Sequence, residues 1–104
     1  MDDLTEKYLA RFVALASERI RRATEVAIDR RRDRAEVVVH DLHSLGGESG
    51  LLGLEGVLEV ARKAEEAARR FGQTGAEADA VALAEHVKVL ERAVTKATTG
   101  LRSP

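Results

Sequence analysis

Residues 40–54, HDLHSLGGESGLLGL, place His40 and His43 just ahead of Gly46, Gly47 and Gly50. An imidazole changes charge near neutral pH, which suits it to nucleophilic or metal-binding work. Glycines three, four and seven residues after His43 lie on its own side of a helix, so the surface beyond the ring would carry no side chains. Three interior glycines cost about 3 kcal/mol relative to alanine, a large fraction of a small domain's stability. Close approach of another protein's backbone to the ring would offset that cost, because glycine permits it. The plainer alternative is that Gly46 and Gly47 end the helix and leave His43 on its last turn. Leu45, Ser49 and Leu52 continue the helical spacing past them, which favours the first reading.

Competing chemistries have weaker support. A helical metal site calls for histidines four residues apart or for converging Glu-x-x-His motifs, and His40 and His43 provide neither. His40 is expected on a face beside that of His43, flanking the site. His86, between Leu83 and Val87, reads as an exposed or boundary residue. The glycines follow no strand and no Lys-Ser or Lys-Thr step closes them, which argues against a phosphate-binding loop. Cysteine is absent, excluding thiol nucleophiles and thiolate metal sites and agreeing with a reducing, cytoplasmic setting. No signal-peptide core or membrane-length apolar run occurs, so a soluble chain is expected.

Seventeen basic and eighteen acidic residues give a net charge of −1, so no global field favours nucleic acid or an anionic membrane. The one basic cluster, Arg30, Arg31, Arg32 and Arg34, is interrupted by Asp33 and lacks aromatic interleaving. It is expected to be a solvated turn between helices.

The elements that must hold the histidines read as helices throughout. Leu9, Val13, Ala16, Ile20, Ala23 and Ala27 recur at three- and four-residue spacing, with Tyr8, Phe12 and Leu15 widening that face, and predict a helix over about 3–28. Asp33 and Glu36 have the spacing of a capping box and open a second helix over 33–50, whose inward stripe is Ala35, Val38, Leu42, Leu45, Ser49 and Leu52. A third, over 54–71, carries Leu54, Val57, Leu58, Ala61, Ala64, Ala68 and Phe71 and is stopped by Gly72. Thr74 and Glu77 form another capping box before a fourth helix over 75–98, with Ala80, Leu83, Val87, Leu90, Val94 and Ala97 inward. The final TTGLRSP is expected to fray. Short connections between long helices predict one domain over residues 1–104, an all-α, antiparallel up-down-up-down four-helix bundle. One apolar face per helix is consumed by one bundle, which favours a monomer.

The run from His43 to Leu54, HSLGGESGLLGL, resembles the H-x-L-K-G-x-x-x-x-L-G-x signature of histidine phosphotransfer (HPt) domains. Leu58, Ala64-Glu65 and Arg70-Phe71-Gly72 resemble the family's positions on the following helix. The resemblance implies that His43 is the phosphoacceptor and that Gly47 is the glycine leaving room around the ring. Family members usually carry lysine where this chain has Gly46. Either a basic residue from the next helix, such as Arg62 or Lys63, replaces it, or the phosphoryl group is stabilised mainly by the partner's site. An imidazole nitrogen can form a phosphoramidate of high transfer potential while the other nitrogen, held by a hydrogen bond, fixes the tautomer. The implied partners are a histidine kinase and a response-regulator receiver that supplies the aspartate and the Mg²⁺. No cofactor is expected in this chain, which would act as a phosphocarrier in a multistep phosphorelay rather than as an enzyme with turnover. A bundle that binds receivers or kinases without being phosphorylated is the rival reading.

Overall fold

The computed structural model describes residues 3–102. It contains four helices, α1 (Asp3–Ile28), α2 (Ala35–Leu51), α3 (Glu55–Thr74) and α4 (Glu77–Arg102), with a single 3₁₀ turn, Arg32–Arg34, ahead of α2. Each helix packs on the next and α1 closes against α4, giving an elongated bundle of 45 × 19 × 18 Å. Contacts between α1 and α2 run in opposite senses, since Arg19 meets Glu48 while Arg22 meets Asp41. The same holds for α2 and α3, where Gly50 lies against Leu58 and Ala35 against Gly72. The expected all-α, antiparallel bundle is therefore the fold.

The apolar stripes supply the core. Phe12, Ala16, Ile20, Val38, Leu42, Leu45, Val57, Ala61, Phe71, Leu83, Val87 and Leu90 are all buried in one cluster. Alanine at many of these positions lets the helices approach closely, so a few larger side chains fill most of the space between them. Phe71 is the largest of the fully buried side chains. Phe71→Ala is expected to cost about 3–5 kcal/mol, read as a lowered denaturation midpoint in urea. A cost below about 1 kcal/mol would contradict its central place.

Several helix ends differ from the sequence reading, each for an identifiable reason. Asp33 does not cap α2. It pairs with Arg31 through two bonds of 3.0 Å, and α2 begins at Ala35 without a side-chain cap. Gly72 does not stop α3, which runs three residues beyond the expected Phe71 and ends at Gly75 with φ +63°. A Cβ on Gly72 would lie 3.2 Å from Ala35 Cβ, so this glycine permits close helix contact instead. Thr74 and Glu77 form no box either. Thr74 Oγ1 accepts from the Ala76 N–H and donates to Asp79, while Glu77 pairs with Arg30. The fourth helix continues past 98 to Arg102, with Thr98 buried and bonded to the Val94 carbonyl, so fraying does not begin there. Ser103 and Pro104 lie outside the described residues. Tyr8 and Leu15 do not widen the buried face of α1, and both side chains are exposed.

The arginine cluster proves to be a structural clamp as well as a turn. Arg30, at φ +55°, donates to the Ala27 and Ile28 carbonyls and bidentately to Glu77. Arg32 donates to the carbonyls of Gly72 and Gln73 at the end of α3, satisfying acceptors that a helix end leaves open. Arg30 holds the Glu77 carboxyl below its ordinary value, and Arg31 does the same for Asp33. These bonds fix the end of the bundle remote from the α2–α3 turn.

Candidate functional site

The middle of α2 carries the site. About 100° of rotation per residue places Val38, Leu42 and Leu45 inward and His40, His43, Gly47 and Leu51 along the outer surface. The structure agrees, with the three aliphatic side chains fully buried and the four others exposed. The helix passes through Gly46, Gly47 and Gly50 without interruption and ends only after Leu51. Its end is a Schellman motif around Gly53, φ +74°, in which the Leu54 N–H donates to the Ser49 carbonyl and the Gly53 N–H to the Gly50 carbonyl. His43 is therefore an interior residue of the helix. It does not sit on a last turn.

The three glycines have different surroundings. A Cβ at Gly47 would have no atom within 4 Å, and the residue is exposed, so backbone is open to solvent one turn beyond the ring. Gly50 is likewise exposed, with only Leu58 at 3.5 Å from its Cβ position. Gly46 does not belong to this bare strip. It is buried against α3, its Cβ position 3.4 Å from Leu58 Cδ1, 3.6 Å from Ala61 Cβ and 3.8 Å from Arg62 Nε. The Arg62 side chain thus occupies the space into which a residue-46 side chain would grow. Arg62 forms no ion pair among the described residues. Lys63 is directed to Glu59 on its own helix at 3.6 Å and is not brought to Gly46.

Among the described residues, His43 bonds to one side chain. Its Nδ1 lies 3.2 Å from Oε1 of Glu65, while the ring itself is 59% exposed. The other carboxylate oxygen, Oε2, accepts from Arg69 Nη2 at 2.6 Å. The Glu65 side chain is only 8% exposed, so its charge is held at the boundary of the core by these two partners. A carboxylate oxygen accepts, so in the neutral ring the hydrogen facing Glu65 sits on Nδ1 and the lone pair is on Nε2. His40 is exposed and makes no hydrogen bond or ion pair among the described residues. His86 is half-buried on α4.

Two ion pairs fix α2 against α1 on the other side. Arg22 donates bidentately to the buried Asp41 at 2.8 and 3.2 Å, and Arg19 to Glu48 at 2.8 Å. The Asp41 bond raises the Arg22 guanidinium above its usual value. Further along the same two helices Tyr8, Phe12, Leu15, Leu51 and Leu52 line an open groove of about 420 Å³. The sequence reading missed Glu65 and Arg69 as site residues, although Glu65 falls within the Ala64-Glu65 step that resembles the family. No group of histidines and carboxylates suitable for a metal occurs among the described residues, and none of their helices is long and apolar enough to cross a membrane.

An exposed imidazole with one nitrogen held by a carboxylate, on a helix stripped of side chains beside it, matches the family resemblance of the sequence. No curated protein and no solved structure matches the chain at a significant level. The family model of the Hpt domain matches residues 7–100, nearly the whole chain. The chain therefore belongs to the Hpt domain family, whose members are phosphocarriers that perform histidine phosphotransfer in phosphorelays.

Proposed function

We propose that His43 accepts a phosphoryl group on Nε2 and exchanges it with the aspartate of a response-regulator receiver, with a histidine kinase as the source of phosphate in the relay. The observation that carries this reading is the Nδ1 contact with Glu65 on a ring that is 59% exposed, an arrangement that in the neutral ring puts the lone pair on Nε2. In the transfer, the Nε2 lone pair attacks the phosphorus of the receiver's aspartyl phosphate. The N–P bond forms, the P–O bond breaks, and the aspartate leaves with the electron pair. The ring, still protonated at Nδ1, becomes cationic, and the Glu65 carboxylate beside it stabilises that charge. Reversal returns the phosphoryl group to a receiver.

Such transfer is chiefly positioning and neutralisation of charge. The acceptor chain needs no cofactor of its own, and the receiver's Mg²⁺ neutralises the phosphoryl oxygens. Gly47 and Gly50 leave the approach open, while Gly46 lets Arg62 pack against α2. Arg62 takes the part of the family lysine. Its guanidinium, without an ion pair among the described residues, supplies positive charge one helix away from the phosphoryl group. Arg62→Ala is expected to slow transfer by about tenfold and Lys63→Ala by less than about twofold. Equal effects in a quenched-flow transfer assay would contradict this assignment.

The deciding experiment incubates the purified protein with phosphorylated receiver domains and with autophosphorylating kinases. Acid-labile, alkali-stable label on the protein supports the phosphocarrier. Binding of receivers without any label would establish the adaptor reading instead.

A further inference from the structure

The proposed phosphocarrier gives Glu65 a task, and a carboxylate so far buried needs a partner for each of its oxygens. Its contacts identify what supplies it. Oε1 faces His43 Nδ1 at 3.2 Å and Oε2 accepts the 2.6 Å bond from Arg69 Nη2, one turn further along α3. Glu65 has no other side-chain hydrogen-bond partner among the described residues. Its charged bonding partners among the described residues are His43 from α2 and Arg69 from the next turn of α3, with Arg62 one turn earlier in the sequence of that helix, and none comes from α1 or α4. Arg69 itself is 51% exposed and makes no other ion pair among the described residues.

We infer that Arg69 is a positioning residue for phosphotransfer, acting through Glu65 to keep the Nε2 nitrogen of His43 free of its proton. This inference rests on the phosphocarrier reading for its consequence, although the proton placement stands independently. With the Arg69 guanidinium bonded to Oε2, Oε1 is held as an acceptor toward Nδ1, which carries the ring hydrogen of the neutral imidazole. Without it, the buried carboxylate has two ways to lose its uncompensated charge. It takes up a proton and donates from its O–H to Nδ1, which shifts the ring hydrogen to Nε2. Alternatively it draws a second proton onto the ring, and an imidazolium carries hydrogen on both nitrogens. Each route places a proton on the atom that must attack phosphorus. The charge and the hydrogen bond also hold the Glu65 rotamer, so the carboxylate meets the ring in one orientation.

The test uses the whole protein with ¹⁵N-labelled histidine and follows the His43 ring nitrogens by long-range ¹H–¹⁵N spectroscopy at neutral pH, without any partner. Wild type is expected to show an unprotonated Nε2 and a protonated Nδ1. Arg69→Ala is expected to show Nε2 protonated, to accept phosphoryl groups at least about tenfold more slowly, and to regain part of that rate at higher pH. Arg69→Lys restores both signals because it restores the charge. Where Arg69→Ala does not fold, Arg69→Gln, which keeps a donor and loses the charge, replaces it and is expected to show the same Nε2 protonation. An unchanged Nε2 signal in a folded, uncharged variant overturns the inference, as does a slow Arg69→Ala whose pH profile matches wild type. A wild-type chain that takes no label but shows the expected nitrogen pattern would refute the phosphocarrier reading and leave the proton placement standing.

Discussion

Substituting His43→Gln is expected to reduce phosphoryl acceptance to background, whereas His40→Gln slows it by no more than a few-fold. Glutamine is the informative choice because its side-chain amide can still donate to Glu65, so the buried carboxylate is not orphaned. The ring is 59% exposed and contributes little to the core, so the melting curve should shift by less than about 1 kcal/mol of stability. Lost label with an intact fold is then a chemical effect. No other group on the outer surface of α2 duplicates the arrangement, since His40 lacks a partner that fixes its tautomer. Label retained in His43→Gln would move the acceptor elsewhere and remove the reason for the Glu65 contact. Autoradiography of matched samples, alongside circular dichroism, reads both quantities.

Gly47→Leu separates stability from function in opposite directions. Glycine within a helix is about 1 kcal/mol less favourable than a good helix former, and nothing lies within 4 Å of the Gly47 Cβ position to oppose a larger side chain. The variant is therefore expected to be more stable by up to about 1 kcal/mol in urea denaturation. Transfer should nevertheless fall on the order of 100-fold, because a side chain one turn from His43 holds the incoming phosphoryl group out of line, and displacement by about 1 Å has that effect. A variant both more stable and equally fast would show that the bare backbone serves no approach. Gly46→Leu is a contrasting case. Its side chain would have to displace Leu58 and Arg62, so it perturbs packing as well as transfer.

The sequence made the helices and much of the site visible. Spacing alone delimited α1 and the inward faces of α2, α3 and α4, because burial of one apolar stripe imposes a period that the chain must carry. Capping residues were less legible. Asp33 and Thr74 have the right types at plausible spacings, yet each found another partner, Arg31 and Asp79 respectively. Gly72 and Gly75 look alike in sequence, and the packing glycine is told from the terminating one only in the structure, by the contact of Gly72 with Ala35 and the φ of +63° at Gly75. Tyr8 and Leu15 were misplaced because their residue type outweighed a position at the edge of the stripe.

The same distinction runs through the site. His43 and Gly47 stand on one helix, so their relation follows from local geometry. Glu65, backed by Arg69 on its own helix, reaches His43 across a helix interface, and the register of α3 against α2 is set by packing among Leu58, Ala61 and their neighbours, which leaves no local signature. That register also separates Arg62 from Lys63. Adjacent in sequence and equal in charge, they point to different surroundings, one to the Gly46 position and the other to Glu59.

In this mechanism the phosphoryl group resides on one particular nitrogen of one histidine. Phosphorylating the ¹⁵N-histidine-labelled protein with a receiver and recording ³¹P–¹⁵N couplings tests it most directly. The expected spectrum has a phosphorus-coupled Nε2 on His43, with Nδ1 still protonated toward Glu65. Coupling to Nδ1, or to a nitrogen of His40 or His86, would contradict it.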